Sequence, residues 1–193
     1  MILLIDNYDS FSYNLVQLIG GLCKEYGGEE VKVIRNDEMT VTEIESLNPS
    51  CIILSPGPGK PKDAGVCEEV VEKLKGKIKI LGVCLGHQGI CESFGATITY
   101  AKELMHGKQS EVKVDTSVRI FKGLPQNLKV ARYHSLAADA STLPEELEVI
   151  AQAEDGEIMA VKHREYEIYG LQFHPESVLT PEGNIMMKNF LFE

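Results

Sequence analysis

Ile80-Leu81-Gly82-Val83-Cys84-Leu85-Gly86-His87-Gln88 is the stretch whose reading decides the fold. Ile78 to Val83 is an apolar run of strand length. It stops at Gly82-Val83-Cys84-Leu85-Gly86, and Gln88 to Phe94 has helical character closed by Gly95. A strand, a tight turn centred on a nucleophile and a helix make a nucleophile elbow, here with Cys where hydrolases carry Ser. Small residues two before and two after the nucleophile are a steric requirement of so sharp a turn. A Cys at a helix N-terminus sits at the positive end of the macrodipole, beside unpaired N–H groups. Such a site favours the thiolate, the attacking species. The N–H of Leu85 points where an oxyanion would form. The competing reading is a structural Cys in a Gly-bounded turn, and the pentapeptide alone does not separate the two.

Outward from the elbow, the first half of the chain repeats one pattern. Ile2 to Ile5, Val31 to Ile34 and Cys51 to Leu54 read as three further strands. Between them lie helices: one capped by Asp9 or Ser10 and ending near Gly20-Gly21 or a turn or so later, and one opened by a Thr40-x-x-Glu43 capping box and running to Leu47. A third is expected from about Gly65 to Leu74. Apolar strands alternating with helices predict an α/β fold: a doubly wound, mostly parallel sheet covered on both faces, flavodoxin-like. Functional groups of such sheets gather at the carboxyl ends of the strands. Asp6-Asn7, Ser55-Pro-Gly-Pro-Gly59 and Cys84 should therefore share one crevice.

From about residue 96 the pattern changes. Ala96 to Tyr100, Glu111 to Asp115, Leu128 to Tyr133, Leu147 to Ala153, Ile158 to His163 and Ile168 to Phe173 are short and strand-like, several with period-two alternation. They predict an antiparallel or mixed region added to the sheet. Thr180-Pro181 fits the cap and first position of a C-terminal helix. No linker, repeat or low-complexity segment interrupts the chain, and one domain over residues 1–193 is expected.

Composition narrows the function classes. Hydrophobic content of 44% and charged content of 25% are those of a soluble globular protein. A net charge of −10 argues against nucleic acid or an anionic membrane surface as partner. Met1-Ile-Leu-Leu-Ile5 runs into Asp6 without a basic leader, and no apolar run approaches a membrane span, so neither secretion nor a membrane is expected. Cys23, Cys51, Cys67, Cys84 and Cys91 have no disulfide or zinc spacing, which favours a reducing cytoplasm. No histidine pair has metal-ligand spacing with a carboxylate, and no metal or other cofactor is expected.

Two more segments carry chemistry. Ser55 to Pro61, with two Pro-Gly pairs, is either a stiff turn or a loop whose Gly57 N–H faces Cys84 as a second oxyanion donor. In Gln172-Phe173-His174-Pro175-Glu176-Ser177, Pro175 keeps His174 out of the helical region. An extended backbone would put His174 and Glu176 on one side, as base and orienting acid for a nucleophile. His87, His106, His134 and His163 have weaker contexts.

Together, Gly82-Val-Cys-Leu-Gly-His-Gln88, Ser55-Pro-Gly-Pro-Gly59 and Gln172-Phe-His-Pro-Glu-Ser177 resemble the class I, triad-type glutamine amidotransferases, in family order and over essentially the whole chain. Asp6-Asn-Tyr-Asp-Ser-Phe11, Met105-His-Gly-Lys108 with Ser110, and Arg132-Tyr-His-Ser-Leu136 are similar to the glutaminase components of anthranilate synthase and aminodeoxychorismate synthase. The resemblance implies Cys84 as nucleophile, His174 as base and acid, Glu176 as its orienter, and Gly57 and Leu85 as oxyanion donors. It implies that Gly57, Pro58, Gly59, Leu85, Gln88, Ser135 and Leu136 hold L-glutamine. The partner it implies is a chorismate-using synthase subunit, docking on Tyr8 to Phe11 and Met105 to Ser110. The alternatives are a glutaminase for another synthase, such as that of GMP, a γ-glutamyl peptidase, and a non-catalytic flavodoxin-like binding module.

Overall fold

Five segments with apolar side chains on both faces, or flanked by strands that have them, form the parallel half of one sheet. The computed structural model describes residues 1–193. Its first half contains β1 (Ile2–Asp6), α1 (Ser12–Tyr26), β2 (Val31–Arg35), α2 (Val41–Ser46), β3 (Cys51–Leu54), α3 (Cys67–Leu74), β4 (Lys79–Val83) and α4 (Leu85–Ser93). The second half contains β5 (Ile98–Tyr100), β6 (Lys108–Val114), β7 (Asn127–Arg132), β8 (Leu136–Ala138), β9 (Leu147–Ala153), β10 (Ile158–His163), β11 (Ile168–Leu171) and α5 (Gly183–Phe192). The nine-stranded sheet runs β2-β1-β3-β4-β11-β10-β9-β6-β7. From β2 to β11 all pairings are parallel; β10, β9, β6 and β7 continue the sheet antiparallel. β5 and β8 form a separate antiparallel pair.

The pleat of β1 shows how the sheet divides its core. Ile2 and Leu4 point into one cluster with Leu15, Ile19, Leu81, Val83 and Phe190. Leu3 and Ile5 point into the other with Ile52, Leu54, Val70 and Ile90. Thus α1 and α5 cover one face, and α2, α3 and α4 the other. No helix is long and apolar enough to cross a membrane.

Several boundaries depart from expectation, each for a local reason. The helix after β1 is entered at Phe11, not capped by Asp9 or Ser10; the Asp9 carboxylate instead accepts the Phe11 N–H at 2.8 Å. That helix runs past Gly20-Gly21 to Tyr26, because Leu22 and Cys23 continue its buried stripe. The capping box at Thr40 is present, but α3 begins at Cys67 rather than Gly65. Ala96 to Tyr100 is strand only from Ile98, and β6 starts three residues before Glu111. Ile168 to Phe173 stops at Leu171; it pairs parallel with β4 and antiparallel with β10, and so joins the two parts of the mixed sheet. Thr180 caps no helix: α5 starts at Gly183. The Thr180 hydroxyl donates to His174 O at 2.7 Å and accepts the Ala131 N–H at 2.9 Å, so its bonding capacity is committed to the turn after β11.

Candidate active site

The carboxyl ends of β1, β3, β4 and β11 bring the sequence motifs to one crevice. Cys84 follows β4 directly at φ 51°, ψ −101°, and α4 starts at the next residue. The elbow is sterically closed to larger neighbours. A Cβ on Gly82 would lie 2.4 Å from the Gly86 carbonyl, and one on Gly86 would lie 2.4 Å from Leu54 O. The Cys84 N–H donates to Leu171 O at 2.8 Å, and Cys84 O accepts the Gln88 N–H at 3.0 Å. Cys84 thus bridges β11 and the first turn of α4, and is 7% exposed.

Parallel pairing of β4 with β11 places His174 beside Cys84. Its Nδ1 lies 2.6 Å from Glu176 Oε1. The segment is a turn rather than the extended strand expected: the Ser177 N–H donates to His174 O at 3.3 Å. The same side-by-side relation arises because the turn folds Glu176 back under the ring. The His174 N–H donates to Ala131 O at 3.1 Å, which with Thr180 anchors the residue to β7. Burial disfavours the imidazolium, but the Cys84 sulfur and then Glu176 outweigh it and raise the ring to about 10. His174 Nε2, the nitrogen not bonded to Glu176, has no hydrogen-bond partner.

The other wall is built from Asn7. Its backbone N–H donates to Ser55 Oγ and its amide to Ser55 O, both at 2.8 Å. This ties the β1 and β3 loops together and seats Gly57 against Asn7 and Leu85: a Cβ on Gly57 would lie 2.5 Å from Asn7 Cβ and 2.8 Å from Leu85 Cδ2. Leu85 is the first residue of α4, so its N–H has no intrahelical acceptor. Pro58 and Gly59 are exposed at the rim, beyond this contact.

Gln88 lies one turn along α4 and is buried. Its Nε2 donates to Leu136 O at 2.9 Å and to Gln172 Oε1 at 3.1 Å, so both amide hydrogens are committed and Oε1 is the atom left to accept. Leu136 O also accepts from His134 Nδ1 at 2.8 Å, while Ser135 is exposed. Sequence reasoning missed Gln172, Arg132, His134 and Thr180 as parts of the site. Arg132, His134 and Gln172 lie within recognised motifs, but nothing in their spacing signals partners so distant in sequence.

Burial raises Cys51 to about 11 and Cys67 and Cys91 to about 12, and raises Cys23 as well. All five are free. No group of three or more His, Cys, Asp or Glu is arranged to hold a metal ion. A groove of about 500 Å³ borders His174 and Glu176 between Phe11, Leu18, Tyr133 and Val178. A larger cavity, about 810 Å³, lies along β6 and β9 and contains neither Cys nor His, so size does not locate the chemistry.

The chain matches the glutamine amidotransferase class-I family over residues 3–193. It is 50% identical over 190 residues to the bifunctional protein TrpGD of Thermotoga maritima, covering 98% of this chain and 32% of that one. It spans about a quarter and a half of two fungal multifunctional tryptophan biosynthesis proteins. It is also 50% identical over 191 residues to the aminodeoxychorismate/anthranilate synthase component 2 of Bacillus subtilis, covering 99% of this chain and 95% of that one. Among solved structures, a Thermoplasma acidophilum protein named for one subunit of GMP synthase superposes with a TM-score of 0.84 at 26% identity, covering 98% and 91% of the two chains.

Proposed function

This chain belongs to the class-I glutamine amidotransferase family, and from that premise we propose that it is the glutaminase component of an anthranilate synthase. It hydrolyses L-glutamine to glutamate and ammonia and passes the ammonia to a chorismate-using synthase subunit of tryptophan biosynthesis. The observation that carries the reading is the strained Cys84 elbow with a Glu176-oriented His174 beside it on the adjacent parallel strand. The Bacillus subtilis relative, whose name joins both products, favours a second reading in which this component serves an aminodeoxychorismate synthase too.

The chemistry follows from the proposed roles. Cys84 Sγ bonds to the side-chain carbonyl carbon of glutamine, and the N–H groups of Gly57 and Leu85 take the oxyanion. Removing one such donor costs about 2.7–4 kcal/mol. The C–N bond breaks as His174 gives its proton to the departing nitrogen, and a γ-glutamyl thioester remains. The charge of the sulfur helps to hold the proton on His174, and acylation removes that charge, so the ring releases the proton readily. The neutral ring then takes a proton from water as the hydroxyl adds to the thioester. The C–S bond breaks, glutamate leaves, and thiolate and imidazolium are restored. The cycle balances with glutamine, water and this chain's side chains, and we assign it no cofactor. Gln88 Oε1 receives the substrate ammonium, with Ser135 and Leu136 beside it and Pro58 and Gly59 at the rim. Five free thiols fit a cytoplasmic setting.

The docking face lies at the same strand ends. Tyr8, Phe11, Leu104 and Val178 are exposed apolar side chains, and Phe11 and Tyr133 flank the His174 ring at 6.1 and 5.0 Å. Met105, expected on that face, is buried. The nearly closed Cys84 supports low activity in isolation and a rise on assembly. The test is glutamate release by wild type and Cys84→Ser, each alone and with an anthranilate synthase large subunit plus chorismate. Activity that rises with the partner and vanishes in Cys84→Ser is expected, and charge reversal at Asp9 and Lys108 should blunt the rise. Turnover surviving in Cys84→Ser would remove the nucleophile and the reading with it.

A further inference from the structure

One unbroken hydrogen-bond chain runs from a buried arginine to the reacting sulfur. Arg132, 2% exposed, is paired with Glu157 and lies 3.8 Å from Asp155. Its Nε–H donates to His134 Nε2 at 3.1 Å. His134 Nδ1 meets Leu136 O at 2.8 Å, and Leu136 O also accepts Gln88 Nε2 at 2.9 Å. Gln88 Nε2 donates its second hydrogen to Gln172 Oε1 at 3.1 Å, and Gln172 Nε2 donates to Cys84 Sγ at 3.6 Å. Gln172 is wholly buried.

The sense of every bond is forced. A guanidinium can only donate, so His134 Nε2 must accept. Burial lowers His134 to about 4, so the ring is neutral and its one hydrogen is on Nδ1, facing Leu136 O. A carbonyl can only accept, so the Gln88 amide must present its NH₂ group to Leu136 O. The second hydrogen of that group then faces Gln172, whose oxygen must turn to it. The Gln172 NH₂ group is left facing the sulfur. A flipped Gln172 would set two donors against each other at Gln88 and an oxygen against the thiolate.

We propose that Gln172 is the side-chain donor that holds the Cys84 thiolate in place, and that Gln88, its amide turned by the Leu136 carbonyl, is the positioning residue that fixes the sense of this bond. The proposal deepens the glutaminase reading and rests on it for its role in turnover. It also joins two tasks in one element. Gln88, proposed to take the substrate ammonium through Oε1, uses its NH₂ group to orient the donor on the nucleophile. The titratable groups around the sulfur are His174, with Glu176 and Asp9 near it; His134 and Arg132 reach it only through the chain.

The test is the pH–rate profile of Cys84 alkylation by iodoacetamide in the full chain, read by mass spectrometry for wild type, Gln172→Leu and Gln172→Glu. Thiolate reactivity sets this rate without glutamine. Loss of the donor should move the Gln172→Leu profile up by about one pH unit, a tenfold loss of reactive thiolate on the rising limb of that profile. Gln172→Glu should move it further, because a carboxylate replaces the donor. A folded Gln172→Leu or Gln172→Glu with the wild-type profile would overturn the proposal. A normal profile shift without glutamine turnover would instead strike the glutaminase reading.

Discussion

Cys84 is one of three non-glycine residues at positive φ, and it holds that conformation because β4 and α4 leave the turn no other path. Such backbone strain costs about 1–3 kcal/mol and persists where surrounding structure over-determines it. Here the surroundings are the Gly82–Gly86 contact on one side and the Cys84 N–H bond to Leu171 O on the other. Glycine adopts positive φ without a Cβ penalty. Cys84→Gly should therefore be more stable than Cys84→Ala by about 1 kcal/mol in urea unfolding, after the larger chain entropy of glycine is subtracted. Both variants lose the thiol proposed as nucleophile, so stability alone separates them. Equal stability would mean that the elbow stores no strain at this residue. The elbow, with its flanking glycines, and the His174–Glu176 pair were legible in the sequence because the residues that define each lie within about four positions of one another. Gln172 stood inside a recognised motif, yet its partners Gln88 and Cys84 lie 84 and 88 residues away. Only the folded chain shows which of its amide atoms faces which.

At the scale of elements, the apolar runs identified the strands of the parallel half, since a strand covered on both faces leaves no polar alternation. The sequence left open where Ile168 to Leu171 would pair. That choice is made by its neighbours: β4 offers a free parallel edge at Ile80 to Val83, and β10 returns antiparallel on the other side. β8 was unreadable because three residues, Leu136–Ala138, acquire strand geometry only by pairing with β5. A second tertiary effect sits between α3 and α4. Glu68 is raised to about 7, first by burial and then by its hydrogen bond and charge repulsion with Glu92. Glu68 Oε1 and Glu92 Oε2 have no other partner. A carboxyl raised in the folded state holds a proton that the unfolded chain has released, so its contribution to stability is lost as pH rises from about 4.5 through 7. Glu68→Gln supplies a permanent donor to Glu92. It should stabilise the protein at pH 8 by about 1 kcal/mol after discounting for solvent screening, with the gain vanishing by pH 5. A gain that is the same at both pH values would show that the two carboxyls do not share a proton.

For the whole molecule, the buried histidines decide how the fold responds to acid. Burial, and then the charge of His134, lowers His87 to about 3; burial lowers His134 to about 4. Both are neutral in the native protein, whereas the unfolded chain takes up protons at these rings below about pH 6.5. The unfolded state then binds more protons, so stability falls as pH falls through that window, by about 1.4 kcal/mol per pH unit for each ring. Glu68 contributes the opposite slope above about pH 4.5 and offsets part of one ring. His174, held near 10, keeps its proton in the folded state while the unfolded ring loses it above about pH 6.5, so its contribution to stability is full well below that pH and is lost as pH rises from 6.5 through 10. The two neutral rings act on different structures. His87 packs against Gly170 of β11 from within α4, while His134 must stay neutral to accept from Arg132. Acid thus attacks the β4–α4–β11 unit and the chain that ends on Cys84 together. His87→Gln should reduce the slope of unfolding free energy between pH 6.5 and 5 by about 1.4 kcal/mol per pH unit, whatever its effect on stability at pH 7. Urea unfolding at half-unit steps measures that slope directly. An unchanged slope would mean that His87 titrates normally in the folded protein and that acid enters the molecule elsewhere.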